Sequence, residues 1–93
     1  MYLHLGQNVV VPTKTIVGIF DLDNTTGSHL TRAFLKKAEK AGQIVNISDD
    51  LPKSFIVCTE AGKPSSPEGL TKIYLSQLAS STLYRRSGTM RFD

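Results

Sequence analysis

The chain has no tryptophan, a single cysteine, no long apolar run and little excess of charge. One cysteine, Cys58, excludes an intramolecular disulfide framework, so the fold must rest on its own core and a reducing compartment is expected. The longest uninterrupted apolar runs, such as Phe55-Ile56-Val57-Cys58, are far shorter than the roughly 20 residues of a membrane helix. No charged start precedes an apolar stretch of the signal-peptide kind. The expectation is a soluble, cytoplasmic protein without a membrane partner. Eleven Lys and Arg against eight Asp and Glu leave +3, which tolerates a polyanionic partner without demanding one. Ninety-three residues exclude a two-domain architecture, and 40% hydrophobic with 20% charged residues excludes a disordered polymer, a coiled coil or a fibrous repeat.

What is present is a series of short β-type segments around one helix. Tyr2-Leu3-His4-Leu5 alternates, Gly6-Gln7-Asn8 interrupts it and Val9-Val10-Val11 follows, which predicts two strands joined by a tight turn, with Pro12 at the edge of the second. Ile16-Val17-Gly18-Ile19-Phe20 is apolar on both faces, as expected of a central strand, and runs into a polar turn over residues 21–28. From Leu30, apolar residues recur at Ala33, Phe34, Ala38 and Ala41, a helical period, with Ser28 as N-cap and Gly42 as the residue just past the C-terminus. Ile44-Val45-Asn46-Ile47 and Ser54 to Thr59 are further strands. Lys72-Ile73-Tyr74-Leu75 is expected to pair back with the latter across a loop containing Pro64-Ser65-Ser66-Pro67-Glu68-Gly69. Ser80-Ser81-Thr82 offers an N-cap for a short helix carrying Leu83, Tyr84, Arg85 and Arg86. The fold class is α+β, β-rich, with a mainly antiparallel sheet of about six short strands, one main helix and a short C-terminal helix. A single domain covers 1–86, and 87–93 form a loose tail.

Few residues carry an evident chemistry. Ile19-Phe20-Asp21-Leu22-Asp23-Asn24-Thr25 resembles the first motif of the haloacid dehalogenase superfamily, in which the positions of Asp21 and Asp23 supply a nucleophile and a general acid/base around Mg²⁺. That superfamily uses a doubly wound parallel core larger than this chain can build, and Asp49-Asp50 precedes a turn where the distal acidic pair would be needed. An Asp-rich turn closing a strand is the simpler account, because Asp and Asn side chains hydrogen-bond their own backbone. His4 and His29 have no Cys or His at metal-ligand spacing, so no metal or cofactor is expected. Cys58 reads as a small buried apolar residue and not as a nucleophile.

Two groups of cations remain. Arg32, Lys36 and Lys40 recur at i, i+4 and i+8, a basic stripe opposite Leu30, Phe34 and Ala38 that can lie along a phosphate backbone or simply be solvated. Arg85-Arg86 follow Leu83-Tyr84, placing two guanidinium forks beside an aromatic ring, an arrangement suited to phosphate oxygens or guanine edges and equally open to solvation. Five of the basic residues but only two of the acidic ones fall after residue 60, so the net charge belongs to the C-terminal third.

Tyr2-Leu3-His4-Leu5-Gly6, Asn8 to Val11, Lys14-Thr15-Ile16-Val17-Gly18-Ile19-Phe20-Asp21 and Leu78 to Arg86, taken in order, resemble the RemA/RemB family of short bacterial extracellular matrix regulators, the RemB branch most closely. The resemblance implies a domain related to the LytTR type of DNA-binding module and assembled into a homo-oligomeric ring. It further implies a non-enzymatic regulator of biofilm matrix genes that binds duplex DNA chiefly through phosphates. In RemA-like proteins a basic residue just before the central strand is implicated in DNA binding, and Lys14 occupies that position. The branch also has an Arg pair shortly before a later strand, where this chain has Asp50-Leu51-Pro52-Lys53, so only Lys53 carries over. The candidate DNA-contacting residues are therefore Lys14, Lys53, Arg85 and Arg86 first, and Arg32 and Lys36 second. The missing Arg pair sustains an alternative, a ring-forming interaction module without DNA binding, co-assembling with a RemA-type paralogue. The segment from Gly62 to Gly69 is longer than the RemB pattern, as a lineage insertion at a hairpin tip would be.

Overall fold

The computed structural model describes residues 1–22, 29–59 and 71–86. The expected N-cap Ser28, Asp23, the Gly62 to Gly69 insertion and the tail 87–93 lie outside the described residues. Six strands and two helices follow in order: β1 (Tyr2–Gly6), β2 (Val9–Pro12), β3 (Ile16–Asp21), α1 (His29–Lys40), β4 (Ile44–Asn46), β5 (Ser54–Cys58), β6 (Lys72–Ser76) and α2 (Ser80–Arg86). A 3-10 turn over Thr13–Thr15, not anticipated from the sequence, joins β2 to β3. The α+β class holds, but the strands divide into two sheets. β1 and β2 form an antiparallel hairpin, and the other four form a mixed sheet in the order β3-β5-β6-β4, in which only the β4–β6 pairing is parallel.

The four-stranded sheet is the middle of three layers. Alternation sends Ile19, Ile56 and Cys58 to one face, where they meet Leu3, Leu5 and Val11 of the hairpin and Leu83 of α2. Phe55 and Ile73 point to the other face and pack with Ala38 and Leu35 of α1. Ile56, Ile73, Leu3, Leu5 and Leu83 are each at most 1% exposed, and fully burying such side chains contributes about 1.5–3 kcal/mol each. The strand order corrects the expectation that Ile16–Phe20 is a central strand. β3 lies at an edge, with Ile16 and Ile19 on the face that meets the hairpin layer and Val17 and Phe20 on the face beside an open groove.

Helix α1 also turns differently from its apolar stripe. Ala38 is buried and Leu35 partly so, whereas Leu30 and Phe34 are 73% and 44% exposed. Contacts of α1 run to β4, so the helix covers the β4–β6 half of the sheet and leaves the β3 half open. Its end follows the sequence: Gly42 takes φ +72°, the Gly42 N–H donates to the Glu39 carbonyl at 3.1 Å and the Gln43 N–H to Ala38 at 2.9 Å, a Schellman closure.

A buried polar hub ties the layers together. The Ser76 hydroxyl donates to the Leu5 carbonyl at 2.6 Å and accepts from the Leu78 N–H at 3.0 Å, while the Ser54 hydroxyl donates to the Leu78 carbonyl at 2.8 Å. α2 starts beside this hub and runs back over β3, where the Tyr84 hydroxyl donates to the Ile19 carbonyl at 3.1 Å and covers part of the open strand edge.

Candidate nucleic-acid interface

Lys14 stands in the 3-10 turn with its side chain exposed. The turn is tied down on both sides. The Thr13 N–H and hydroxyl donate to the Met1 carbonyl at 3.0 and 3.2 Å, the Thr15 hydroxyl to Pro12 at 2.7 Å, and the Thr59 N–H reaches the Thr15 carbonyl at 2.9 Å. The short loop is thus a fixed mount for a cation, which lowers the ordering cost of any contact it makes.

Arg85 and Arg86 are exposed on the last turn of α2, a helix seated by the fully buried Leu83 and by Tyr84. The Arg86 guanidinium donates through Nη1 to His4 Nδ1 at 2.9 Å, and His4 Nε2 donates to the Gln7 carbonyl at 2.6 Å. α2 begins at the Ser54–Ser76 end of the sheet and runs back over Ile19, and its contact with His4 places Arg86 against the hairpin layer.

Lys53 is placed differently. It is exposed immediately before β5, its N–H donating to the Ser76 carbonyl at 2.8 Å and its own carbonyl accepting from Leu22 at 2.9 Å. Since β3 and β5 are antiparallel and Thr59 meets Thr15, about six residues of strand separate Lys53 from Lys14, roughly 20 Å at about 3.3 Å per residue. Arg32 and Lys36 are exposed on α1, in the layer on the opposite side of the sheet from α2. The six candidates therefore do not make one surface. Arg85 and Arg86 lie against the hairpin layer, Lys14 stands on the turn joining hairpin to sheet, Lys53 lies at the opposite end of β5 from that turn, and Arg32 and Lys36 are on the layer across the sheet.

His4 is the member of this region that the sequence did not single out, because 82 positions separate it from the arginine it touches. Asp21 ends β3 beside Ser54 of an antiparallel partner, a setting unlike the doubly wound parallel sheet of the phosphotransfer superfamily its motif resembles. No cluster of three or more metal-ligating side chains occurs among the described residues. The Cys58 thiol, 6% exposed, is pushed up to about 11 by burial, partly offset by a hydrogen bond with Thr15.

Apolar surface is exposed in two places. On the hairpin, Met1, Tyr2 and Val10 are 84%, 69% and 51% exposed. On the opposite layer an open groove runs between α1 and β3, lined by Val17, Phe20, Leu30, Phe34, Phe55 and Val57. The Phe20 ring stacks on Phe55 with centroids 5.0 Å apart, and its edge lies over Gly18, where a Cβ would come within 2.9 Å of the ring.

No helix among the described residues is long and apolar enough to cross a membrane. Residues 2–86 match the profile of the family described as "RemA-like: Extracellular matrix regulatory protein A-like". A curated relative from Bacillus subtilis (strain 168), "Extracellular matrix regulatory protein B", is 38% identical over 90 residues, covering 97% of this chain and 94% of the relative. With nearly every described residue inside the match, the chain belongs to the RemA-like family of extracellular matrix regulatory proteins.

Proposed function

We propose that the protein is a non-enzymatic, cytoplasmic transcriptional regulator of biofilm and extracellular matrix genes that binds duplex DNA through phosphate contacts as a homo-oligomeric ring of LytTR-related subunits. The observation that carries the reading is that Lys14, Arg85 and Arg86 are each exposed and each on a segment held by buried or hydrogen-bonded neighbours. Lys53 is exposed before β5, and Arg32 and Lys36 belong to the layer across the sheet. A net charge of +3 is small for one subunit, but repetition around a ring multiplies it into a continuous cationic track, for which little base readout is needed. Self-association is supported by the two apolar patches on opposite layers, hairpin and groove, which a head-to-tail contact can bury together and a closed ring can repeat.

The test is light scattering on size-exclusion chromatography, with and without a long duplex, followed by affinity at two salt concentrations. A multi-subunit species that carries the duplex and loses affinity steeply between about 50 and 200 mM salt supports the reading. Affinity insensitive to salt overturns the phosphate mechanism, and a monomer overturns the ring.

A second reading, a ring-forming interaction module without DNA binding that co-assembles with a RemA-type paralogue, is favoured by one observation. Where the family resemblance places an arginine pair, Leu51 is 87% exposed, with the exposed carboxylates of Asp49 and Asp50 before it on a turn set by the Ser48 hydroxyl. This apolar, acidic corner suits a protein surface better than a phosphate backbone. A stable oligomer that ignores duplex at low salt, and mixed rings with the paralogue in native mass spectrometry, distinguish this reading from the first.

A further inference from the structure

The contact between β1 and the end of α2 has a fixed direction of donation. Arg86 can only donate, so His4 Nδ1 must be an unprotonated acceptor, and Nε2 carries the ring proton that bonds the Gln7 carbonyl. Both ring nitrogens are used, and only the neutral Nε2–H tautomer satisfies both contacts. Gln7, whose carbonyl takes that proton, sits in the left-handed region at φ +49°, so the same imidazole also ties down the one non-glycine residue in that region among the described residues.

We propose that His4 is a positioning residue for Arg86: the neutral imidazole clasps one guanidinium nitrogen and presents the remaining N–H groups to a phosphate oxygen, and protonation of His4 opens the clasp. The proposal rests on the reading of Arg86 as a phosphate contact. A proton added at Nδ1 replaces the acceptor with an N–H directed at a cation. Among the described residues, the ionisable side chains of β1, β2 and α2 other than His4 are Tyr2, Tyr84, Arg85 and Arg86, and β3, on which α2 also packs, adds the carboxylate of Asp21 at its end beside Ser54. A clasped guanidinium reaches a phosphate with less rotamer freedom to lose than a free one. Acidification therefore has a distinctive consequence: duplex affinity falls although the net charge of the protein rises.

The experiment uses the full chain carrying His29→Gln, which leaves His4 as its one histidine, and measures affinity for a duplex between pH 8 and pH 5.5 at constant salt. The expected result is a severalfold loss on acidification. The loss is abolished in His4→Gln, whose amide oxygen can still accept from Arg86 at every pH, and in Arg86→Ala, which lacks the guanidinium and binds more weakly at pH 8 than the His29→Gln protein does. Affinity that rises on acidification, as added charge alone dictates, or a loss that persists in Arg86→Ala, overturns the proposal. Histidine ¹⁵N spectra of the same proteins at pH 8 give a readout independent of DNA. The Nε2–H tautomer is expected to dominate in the His29→Gln protein and to lose its bias in Arg86→Ala. A protein that binds no duplex at any pH defeats the DNA reading while these spectra still decide the clasp, and an unbiased tautomer in the presence of Arg86 overturns it.

Discussion

Cys58 shows how burial sets chemistry at a single residue. Its thiol is raised from 9.0 to about 11 by desolvation, and Tyr74 is raised in the same direction by burial and then by the charge a Cys58 thiolate would carry. Both shifts favour the protonated form in the folded state. The thiol's share of the stabilisation is complete below pH 9, and it is lost as pH rises through about 11, because the unfolded chain releases that proton first. A melting series from pH 8 to 11 is expected to show that decline, up to about 3 kcal/mol from the thiol, and alkylation of native Cys58 at neutral pH to be slow until denaturant is added. At Ser76 one hydroxyl serves both the Leu5 carbonyl and the Leu78 N–H. Ser76→Ala leaves both groups without that partner inside the protein, at a cost of about 1–3 kcal/mol. The thermal midpoint of a domain this size is expected to drop by about 5–15 °C.

At the scale of elements, the two helices illustrate different limits on what can be read from a pattern. The end of α1 is local chemistry: Gly42 sits at φ +72° with nothing within 4 Å of the position a Cβ would take, so Gly42→Ala is penalised by backbone conformation alone. A loss of about 1 kcal/mol is expected, visible as a lower denaturation midpoint with an unchanged m-value. Its apolar stripe is another matter. Leu30, Phe34 and Ala38 share a helical face, yet only Ala38 is buried, because the helix is drawn toward Ile44, Leu75 and Ile73 and leans away from β3. The position of β3 was hidden for a related reason. A strand apolar on both faces has the same sequence whether it is central or at an edge, and here the edge is partly closed by the Tyr84 hydroxyl from α2, 65 residues away.

For the whole molecule the decisive feature is that its cations are divided between faces. If the hairpin side meets DNA, Lys14→Ala and Arg85→Ala each lower duplex affinity and reduce the slope of log affinity against log salt by about 1 for each phosphate no longer neutralised. Arg32→Ala and Lys36→Ala, on the opposite layer, leave both quantities nearly unchanged. Fluorescence anisotropy titrations at several salt concentrations measure all four variants, and equal effects from the two pairs count against a single binding side. Oligomeric state belongs to the same scale, since Phe20, Leu30 and Phe34 on one layer and Tyr2 and Val10 on the other gain cover only from outside the described residues of one subunit.

Much of this protein is local and was therefore determined by the sequence alone. Alternation in Tyr2–Leu5, the interruption at Gly6-Gln7-Asn8, the helical period after Leu30 and the glycine that closes it each depend on neighbours a few residues apart, and the family resemblance rests on the same ordered run of segments. The tertiary structure decided what depends on partners far apart in the chain. It split the strands into a hairpin and a mixed sheet, moved β3 to an edge and set β4 parallel to β6. It also separated Arg32 and Lys36 from Arg85 and Arg86, and brought His4 to Arg86. Periodicity reports which face of an element is apolar, whereas the choice of which layer covers that face, and which cations then share a surface, is settled only when every element competes for the same core.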